Sequence, residues 1–348
     1  MKKTNYLTLG LTLALVLSLF AGCGQPEGPT PTAVPSPVPH VSGAPTAAPV
    51  PTASPVEGEQ VLVRLGVVDS SAGLGLAGLL AESRAGRSAF AYEVQRTDDP
   101  YALMEKLEAG EIEVAALPSE LASARYQKCG DVSLVALSSL GNLTILENGD
   151  RVHTAEDLRG RTLYACGQGE APEHLLRSLL SRNGLDPDRD LTLEWRSAEE
   201  IEGLLASGGA ELGLLPAARS AALLAQKAAL RPALDADGLW AASGQEGPLP
   251  MGCLVARNDF LEAHPNRVET FLADYAAGVE ALCQDPALLS RADLVPGPEA
   301  ALLLERAHPV CITGGDMMDV RAYYEVLFNG DPACIGGGIP DDGFFYLP

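Results

Sequence analysis

Two stretches of this chain are near copies of each other: LEAGEIEVAALP at residues 107–118 and LASGGAELGLLP at residues 205–216. Five identical residues recur at fixed spacing, 98 positions later in the chain. They are Leu107, Gly110, Glu113, Leu117 and Pro118, which return as Leu205, Gly208, Glu211, Leu215 and Pro216. Self-similarity at a fixed interval is the signature of a duplicated structural unit. The chain therefore predicts two similar halves.

The segments that precede the two copies match as well. Each unit begins with a predicted strand, a glycine-containing loop and a helix, followed by a second strand and a second helix. The segments are 61–68, 74–84, 91–95 and 101–108 in the first unit, and 161–165, 173–182, 191–195 and 199–206 in the second. Such alternation indicates parallel sheets with helical crossovers. We expect an α/β fold with two lobes, each a mostly parallel sheet with flanking helices.

Two β-prone segments connect the predicted units. Residues 132–146 are interrupted by Gly141 and Asn142, and residues 247–261 follow the second unit. Two extended crossings between two lobes form a hinge, because a few φ/ψ changes there can close the lobes.

The last part of the chain, residues 261–348, is predicted to be largely helical and to complete the first lobe. The predicted division is a first lobe of residues 61–140 and 248–348 and a second lobe of residues 141–247.

The N-terminus carries an export signal. Met1-Lys2-Lys3 is a short positive head, and the apolar run of residues 7–20 would be about 21 Å long as a helix, shorter than the roughly 30 Å of a bilayer core. Such a run is typical of a signal peptide. Ala21-Gly22-Cys23 resembles the bacterial lipobox, in which the cysteine is acylated. The prediction is a lipoprotein signal of residues 1–23 with lipidation at Cys23; the alternative is an ordinary secretory signal with an incidental cysteine.

Residues 24–60 contain ten prolines and show no apolar periodicity. A segment of this composition cannot bury enough surface to offset its ordering entropy. We expect an extended, disordered tether between the anchor and the lobes.

Composition excludes several classes of function. The formal net charge of −22 makes nucleic acids and anionic lipid surfaces poor partners. The histidines are scattered, no CxxC pair occurs, and no Gly-x-Ser-x-Gly or phosphate-binding loop is present. The sequence therefore predicts no metal, no cofactor and no enzymatic activity.

Three segments carry a family resemblance. They are the DLRGR turn at 157–161 followed by Gly167-Gln168-Gly169 and the GLDP motif at 184–187, then GCLVARNDFLEAHPN at 252–266, and finally CIGGGIPDDGFFY at 334–346. In order and spacing they resemble substrate-binding lipoproteins of ABC transporters of the nitrate/sulfonate/taurine class. The resemblance implies a type II periplasmic-binding-protein fold, a small-molecule ligand, a permease partner and a monomeric, membrane-tethered protein. A sensory protein without transport and an enzyme on the same fold are the alternatives.

The expected ligand contacts lie in loops after predicted strands, where α/β lobes bind ligands. They are Ser70, Ser71, Ser119, Asn142, Gly167, Gln168, Gly169 and Pro216. The serines are either ligand contacts or helix caps. Asp69 departs from the family pattern, and it would disfavour a sulfonate or nitrate if it faced the cleft. Asp69, Glu120 and Glu170 could instead converge on a cationic ligand. Sulfonates and other oxyanions, pyrimidine-type thiamine precursors and other small polar metabolites remain open as ligands.

Overall fold

Two mixed sheets form the centre of the protein. The computed structural model describes residues 61–68, 70–97, 99–245, 247–292 and 299–348. The strands are β1 (Leu62–Val68), β2 (Ala91–Thr97), β3 (Val114–Pro118), β4 (Val132–Leu140), β5 (Leu143–Glu147), β6 (Thr162–Ala165), β7 (Thr192–Trp195), β8 (Leu212–Pro216), β9 (Arg231–Asp235), β10 (Pro250–Arg257) and β11 (Pro309–Ile312). The first sheet has the order β11-β4-β10-β3-β1-β2, and the second has β9-β5-β8-β6-β7.

Helices cover both sheets. They are α1 (Leu76–Arg84), α2 (Pro100–Glu108), α3 (Ser119–Cys129), α4 (Ala171–Arg182), α5 (Ala198–Ser207), α6 (Ala217–Gln226), α7 (Ala236–Ala242), α8 (Asn258–Ala263), α9 (Pro265–Gln284), α10 (Leu288–Arg291), α11 (Ala300–Ala307) and α12 (Arg321–Gly330). Residues Gly58–Pro348 form one compact unit, which contains both sheets and all the core clusters of the described residues. The predicted α/β fold with two mostly parallel sheets is confirmed.

The two sheets exchange strands. In the first sheet β10, which follows the second unit in the chain, runs antiparallel between β3 and β4. In the second sheet β5, which directly follows β4, runs antiparallel between β8 and β9. Each sheet therefore contains an interior strand that the chain enters directly from the other sheet's half of the sequence. Neither sheet is complete without a crossing.

The repeat seen in the sequence corresponds to a repeated strand register. Leu65 of β1 lies opposite Val114 of β3, and Leu163 of β6 lies opposite Leu212 of β8, with the same 98-residue offset. The two repeated glycines, Gly110 and Gly208, have φ values of 72° and 76°. Glycine recurs at these positions because the left-handed conformation is costly for residues with a side chain.

An ion pair explains the repeated glutamates. Glu113 accepts a hydrogen bond from Nε of Arg64 at 2.9 Å, and Glu211 accepts one from Nη1 of Arg161 at 2.7 Å. In both sheets the pair joins the start of the third strand of the unit to the start of its first strand. Partly exposed pairs of this kind contribute about 1 kcal/mol or less. Their role is to set the register locally.

The C-terminal helices divide between the two sheets. Helix α9 packs against α1, whereas α11 packs against α6 and α12 against α4. One apolar cluster joins Leu74 and Leu80 with Ala217 of α6 and Leu303 of α11. These contacts of α11 and α12 were not predicted, because the apolar face of a helix does not reveal which partner it meets. Residues 309–312, within the segment predicted to be largely helical, form a strand. The division of the chain into lobes stays a prediction.

Several features predicted from the sequence lie in residues that the structure does not describe. The lipoprotein signal, Cys23, the tether and Asp69 lie outside the described residues. In the part of the chain that the structure describes, no helix is both long and apolar enough to cross a membrane. The six cysteines after Cys23 are free thiols; Cys253 is buried, while Cys129 and Cys283 are exposed.

Helix α1 crosses α9 at two glycines. A Cβ atom on Gly78 would lie 1.7 Å from the carbonyl oxygen of Gly278, so the two backbones meet with no room for a methyl group. We expect Gly78→Ala to lower the free energy of unfolding by about 1–3 kcal/mol through overpacking. Urea unfolding of the Gly58–Pro348 unit measures this. Gly203→Ala is the matched control, because a Cβ there meets nothing within 4 Å and alanine favours the helix. Equal effects of the two changes would contradict close packing at the crossing.

Candidate functional site

A polar cluster lies where the chain crosses from the first sheet to the second. Asn142 donates a hydrogen bond from Nδ2 to Oγ of Ser71 at 2.8 Å, and Ser139 donates from Oγ to the same oxygen at 3.3 Å. The backbone N–H of Ala217, which follows Pro216 at the end of β8, donates to the carbonyl of Asn142 at 2.7 Å. The crossing therefore binds together the loop after β1, the end of β4 and the start of α6.

One acceptor of this cluster is unused. Oδ1 of Asn142 is buried and has no hydrogen-bond partner among the described residues. A buried acceptor without a donor costs about 1–3 kcal/mol. This oxygen is therefore available to a donor group that enters the crossing.

A cavity of about 640 Å³ opens between the start of α3, which directly follows β3, and the loop after β6. Pro118, Glu120 and Leu121 line it from the first-sheet side, and Gly169 and Glu170 line it from the second-sheet side. Other wall residues are Tyr101 and Met104 of α2, Arg125 and Lys128 of α3, and Asp331 and Cys334 after α12. The cavity thus has walls from both sheets' layers and from the C-terminal segment, and its size suits a small molecule.

The cavity wall is acidic. Glu120 is half-buried, and it accepts a hydrogen bond from the hydroxyl of the buried Tyr323 at 3.3 Å. Burial raises the pKa of Glu120 to about 7, and the charge of Glu170 raises it further. Two cationic side chains also line the cavity: Arg125 is paired with Glu108 and Asp131, and Lys128 is exposed. A positively charged or donor-rich group would find acceptors here.

The expected site residues fall into separate groups. Ser71, Asn142 and Pro216 meet at the crossing, while Gly169 lies on the wall of the cavity. Gly167 and Gly169 adopt φ values of 84° and 76° in the loop before α4, and Gln168 is exposed between them.

The two remaining serines act in the local structure. Oγ of Ser70 accepts from the N–H of Ala72 at 3.3 Å and so caps the short 3₁₀ helix Ser71–Gly73. Ser119 is completely buried at the start of α3, and its carbonyl accepts from the hydroxyl of Tyr324 at 3.3 Å. Neither Ser70 nor Ser119 is among the residues that line the cavity. The helix-cap alternative describes Ser70 well.

Several wall residues were not among the expected contacts. In the sequence, the carboxylates of Glu120 and Glu170 stood out only as part of a possible acidic group. Asp331 lies in no motif, and Cys334 begins the CIGGGIPDDGFFY segment without being an expected contact. Their position depends on a C-terminal segment that returns to α3, where Oγ of Ser123 donates to the carbonyl of Ile335 at 3.2 Å. No spacing in the sequence reports such a contact.

An ion pair spans the crossing. Asp237 of α7 bonds through Oδ2 to Nδ1 of His308 at 2.7 Å, directly beside Gly141. His308 has a φ of 39°, and its carbonyl accepts from the N–H of Leu140 at 3.2 Å. A non-glycine residue in this conformation costs about 1–3 kcal/mol and is held by its surroundings. The pair therefore helps to hold the strand after α11 against the crossing.

This pair makes stability depend on pH. The hydrogen bond to Asp237 and its charge raise the pKa of His308 above the usual value of about 6.5. The stabilisation is present below that value and is lost as the pH rises through the raised pKa. We expect the difference in unfolding free energy between the native chain and Asp237→Asn to shrink from pH 5.5 to pH 9. Urea unfolding across this range measures it.

Asp188→Asn is the control for this measurement, because Asp188 pairs with Arg177 at 2.8 Å and arginine does not titrate in the range. A pH-independent difference for Asp237→Asn would contradict the coupling of this pair to protonation of His308.

Comparison with known proteins gives a fold-level match. No protein-family model matches the sequence, and no curated protein matches it. The structure is similar to that of an ABC transporter from Parabacteroides distasonis, with a TM-score of 0.68, 18% identity and coverage of 83% of this chain and 99% of that chain. It is also similar to the periplasmic aliphatic sulphonate-binding protein SsuA from Escherichia coli, with a TM-score of 0.65, 16% identity and coverage of 83% and 93%.

A third similar structure is the periplasmic nitrate-binding protein NrtA from Synechocystis, with a TM-score of 0.51, 12% identity and coverage of 71% and 70%. At these identities the likeness establishes the fold and leaves the ligand open. The chain has the two-lobed α/β fold of the periplasmic binding proteins of ABC transporters, the fold that the sequence resemblance predicted.

Proposed function

We propose that this chain is an extracytoplasmic solute-binding protein that captures a small molecule between its lobes and delivers it to an ABC permease. The observation that carries the proposal is the cavity of about 640 Å³, to which the start of α3 and the loop after β6 both contribute. A ligand that contacts both sheets' loops binds the closed arrangement better than an open one. Only such differential affinity shifts an open–closed equilibrium.

The acidic wall supports a donor-rich ligand. Glu120 and Glu170 present carboxylates, and the unused Oδ1 of Asn142 at the crossing also requires a donor. An oxyanion such as a sulfonate or nitrate would meet like charge in a partly desolvated site. Among the expected ligands, a pyrimidine that carries an amino group, or another amine-bearing metabolite, fits these acceptors best.

Two other functions use the same fold. A sensory protein would bind the solute and contact a signalling partner instead of a permease, and solute-dependent binding to a permease complex separates the two. An enzyme would convert the bound solute, and the purified protein would then form product. Neither alternative has a specific observation in its favour, so transport remains the proposal.

We expect an aminopyrimidine to raise the melting temperature of the Gly58–Pro348 unit more than an alkanesulfonate does. A ligand at 100 times its Kd contributes about 2.7 kcal/mol to stability. The affinity should rise from pH 6 to pH 8, because Glu120, with a pKa of about 7, ionises over this range. Glu120→Gln should weaken binding about 10- to 100-fold, the value of a charge-assisted hydrogen bond, and abolish the pH dependence.

Two variants locate the binding site in this experiment. Glu199→Gln is the matched control, because this exposed carboxylate at the start of α5 is outside the cavity wall. Ser71→Ala combined with Asn142→Ala tests the crossing separately. Preferential binding of the sulfonate, unaffected by Glu120→Gln, would contradict the proposed ligand class.

We also propose that the protein is exported and is anchored to the membrane by lipid attached to Cys23. Acyl chains contribute about 0.8 kcal/mol per buried CH₂ to membrane binding. We therefore expect Cys23→Ser to move the protein from the membrane fraction to the soluble fraction, as measured by fractionation and immunoblotting. Cys129→Ser, which changes an exposed thiol, is the control. Unchanged membrane association of Cys23→Ser would contradict the lipid anchor.

A further inference from the structure

Three metal-ligating side chains meet at the edge of the cavity. His174 of α4, Asp331 and Cys334 each bring a ligand atom within 4.8 Å of the other two. Asp331 and Cys334 are close in the chain, whereas His174 lies more than 150 positions before them. Each is half-buried, and both Asp331 and Cys334 line the cavity.

The state of these side chains is unusual for a purely structural contact. Nε2 of His174 is buried without a hydrogen-bond partner among the described residues, and Cys334 is a free thiol. Asp331 uses Oδ1 to accept from the N–H of Ala333 at 2.9 Å, which orients the carboxylate at the start of the 3₁₀ helix Pro332–Ile335. Three possible metal ligands therefore lie close together: an imidazole, a thiol and an oriented carboxylate. The Nε2 atom of the imidazole has no hydrogen-bond partner among the described residues.

The chemistry of the three groups points to one class of ion. Imidazole nitrogen, thiolate sulfur and carboxylate oxygen together suit a borderline-soft divalent ion such as Zn²⁺, whereas Ca²⁺ and Mg²⁺ prefer oxygen alone. Bonds of about 2.0–2.3 Å in tetrahedral geometry hold donor atoms roughly 3.3–3.8 Å apart. The observed limit of 4.8 Å thus requires movements of about 1 Å, which side-chain rotations can supply.

The backbone at the end of α12 is shaped around the histidine. A Cβ atom on Gly330 would lie 2.6 Å from Cβ of His174 and 2.8 Å from its Nδ1. Any side chain at position 330 would displace the imidazole ring of His174. Gly330 is therefore a positioning residue for the ligand set.

We propose that His174, Asp331 and Cys334 bind a Zn²⁺-type divalent ion whose fourth coordination position opens into the cavity. The ion would join α4, which covers the second sheet, to the segment that packs against α3 of the first sheet. Glu120 and Glu170 on the same cavity wall add negative charge that favours a cation there. The site goes beyond solute capture and does not depend on which solute the cavity holds.

Metal binding alone tests the proposal. The Gly58–Pro348 unit, stripped with a chelator, should bind one equivalent of Co²⁺ with the absorption of a cobalt–thiolate bond, and Zn²⁺ should displace the Co²⁺. Cys334→Ser should abolish the thiolate absorption, and His174→Ala and Asp331→Asn should weaken Zn²⁺ binding in calorimetry. Changes to residues that orient the metal ligands typically cost about 10- to 100-fold in metal affinity, and loss of a direct ligand exceeds this. Gly330→Ala, which removes no ligand, should fall in the 10- to 100-fold range.

Matched controls separate this site from adventitious metal binding. Cys129→Ser and His153→Ala change an exposed thiol and an exposed histidine elsewhere, and both should leave the stoichiometry and affinity unchanged. Circular dichroism of each metal-free variant confirms folding, and Cys334→Ser, a near-isosteric change, remains informative if His174→Ala fails to fold. Absence of the thiolate absorption in the native chain, or its persistence in Cys334→Ser, would overturn the proposal. Failure of solute binding with intact metal binding would affect only the proposed transport function.

Discussion

The crossing at Gly141 and Asn142 is the constraint on which the rest of the structure depends. The chain leaves the first sheet at Leu140 and joins the second at Leu143, so only two residues separate two strands of different sheets. Gly141 adopts a φ of 46° and donates its N–H to the carbonyl of Leu249 on the returning segment at 3.1 Å. The outgoing and returning connections are therefore held side by side, and any movement of one sheet relative to the other must pass through them.

Strand exchange makes this crossing essential to both cores. Because β5 and β10 are interior strands, their backbone donors and acceptors are paired on both sides, and loss of either strand would leave buried polar groups without partners. The two sheets thus fold as parts of one unit, although each repeats the same local arrangement.

The protein contains an apolar cluster and a polar cavity that each draw on helices of both sheets. Leu74, Ala217 and Leu303 belong to a single apolar cluster. Glu120 and Glu170 instead line a cavity together with the C-terminal segment. A buried carboxylate is costly unless it is protonated or partnered, and the raised pKa of Glu120 expresses that cost. A donor-bearing ligand or a nearby cation would relieve that cost.

The sequence by itself determined the repeated architecture. The recurrence of Gly110 as Gly208 and of Leu117 as Leu215 predicted two similar sheets, because turns, caps and strand periodicity depend on residues that are close in the chain. It also predicted that the chain would cross at Gly141–Asn142, and it brought Ser71 and Asn142 into one set of candidates that the structure joins by a hydrogen bond.

Only the tertiary structure decided which distant groups meet. The contact of α11 with α6, the return of the C-terminal segment to α3 and the meeting of His174 with Cys334 each join residues far apart in the chain. Such contacts follow from the packing of whole elements, whose apolar faces are interchangeable in sequence terms and become specific only when volume and backbone approach are satisfied together. For the same reason, His174 had no neighbouring metal ligand in the sequence, although the fold places it beside a carboxylate and a thiol.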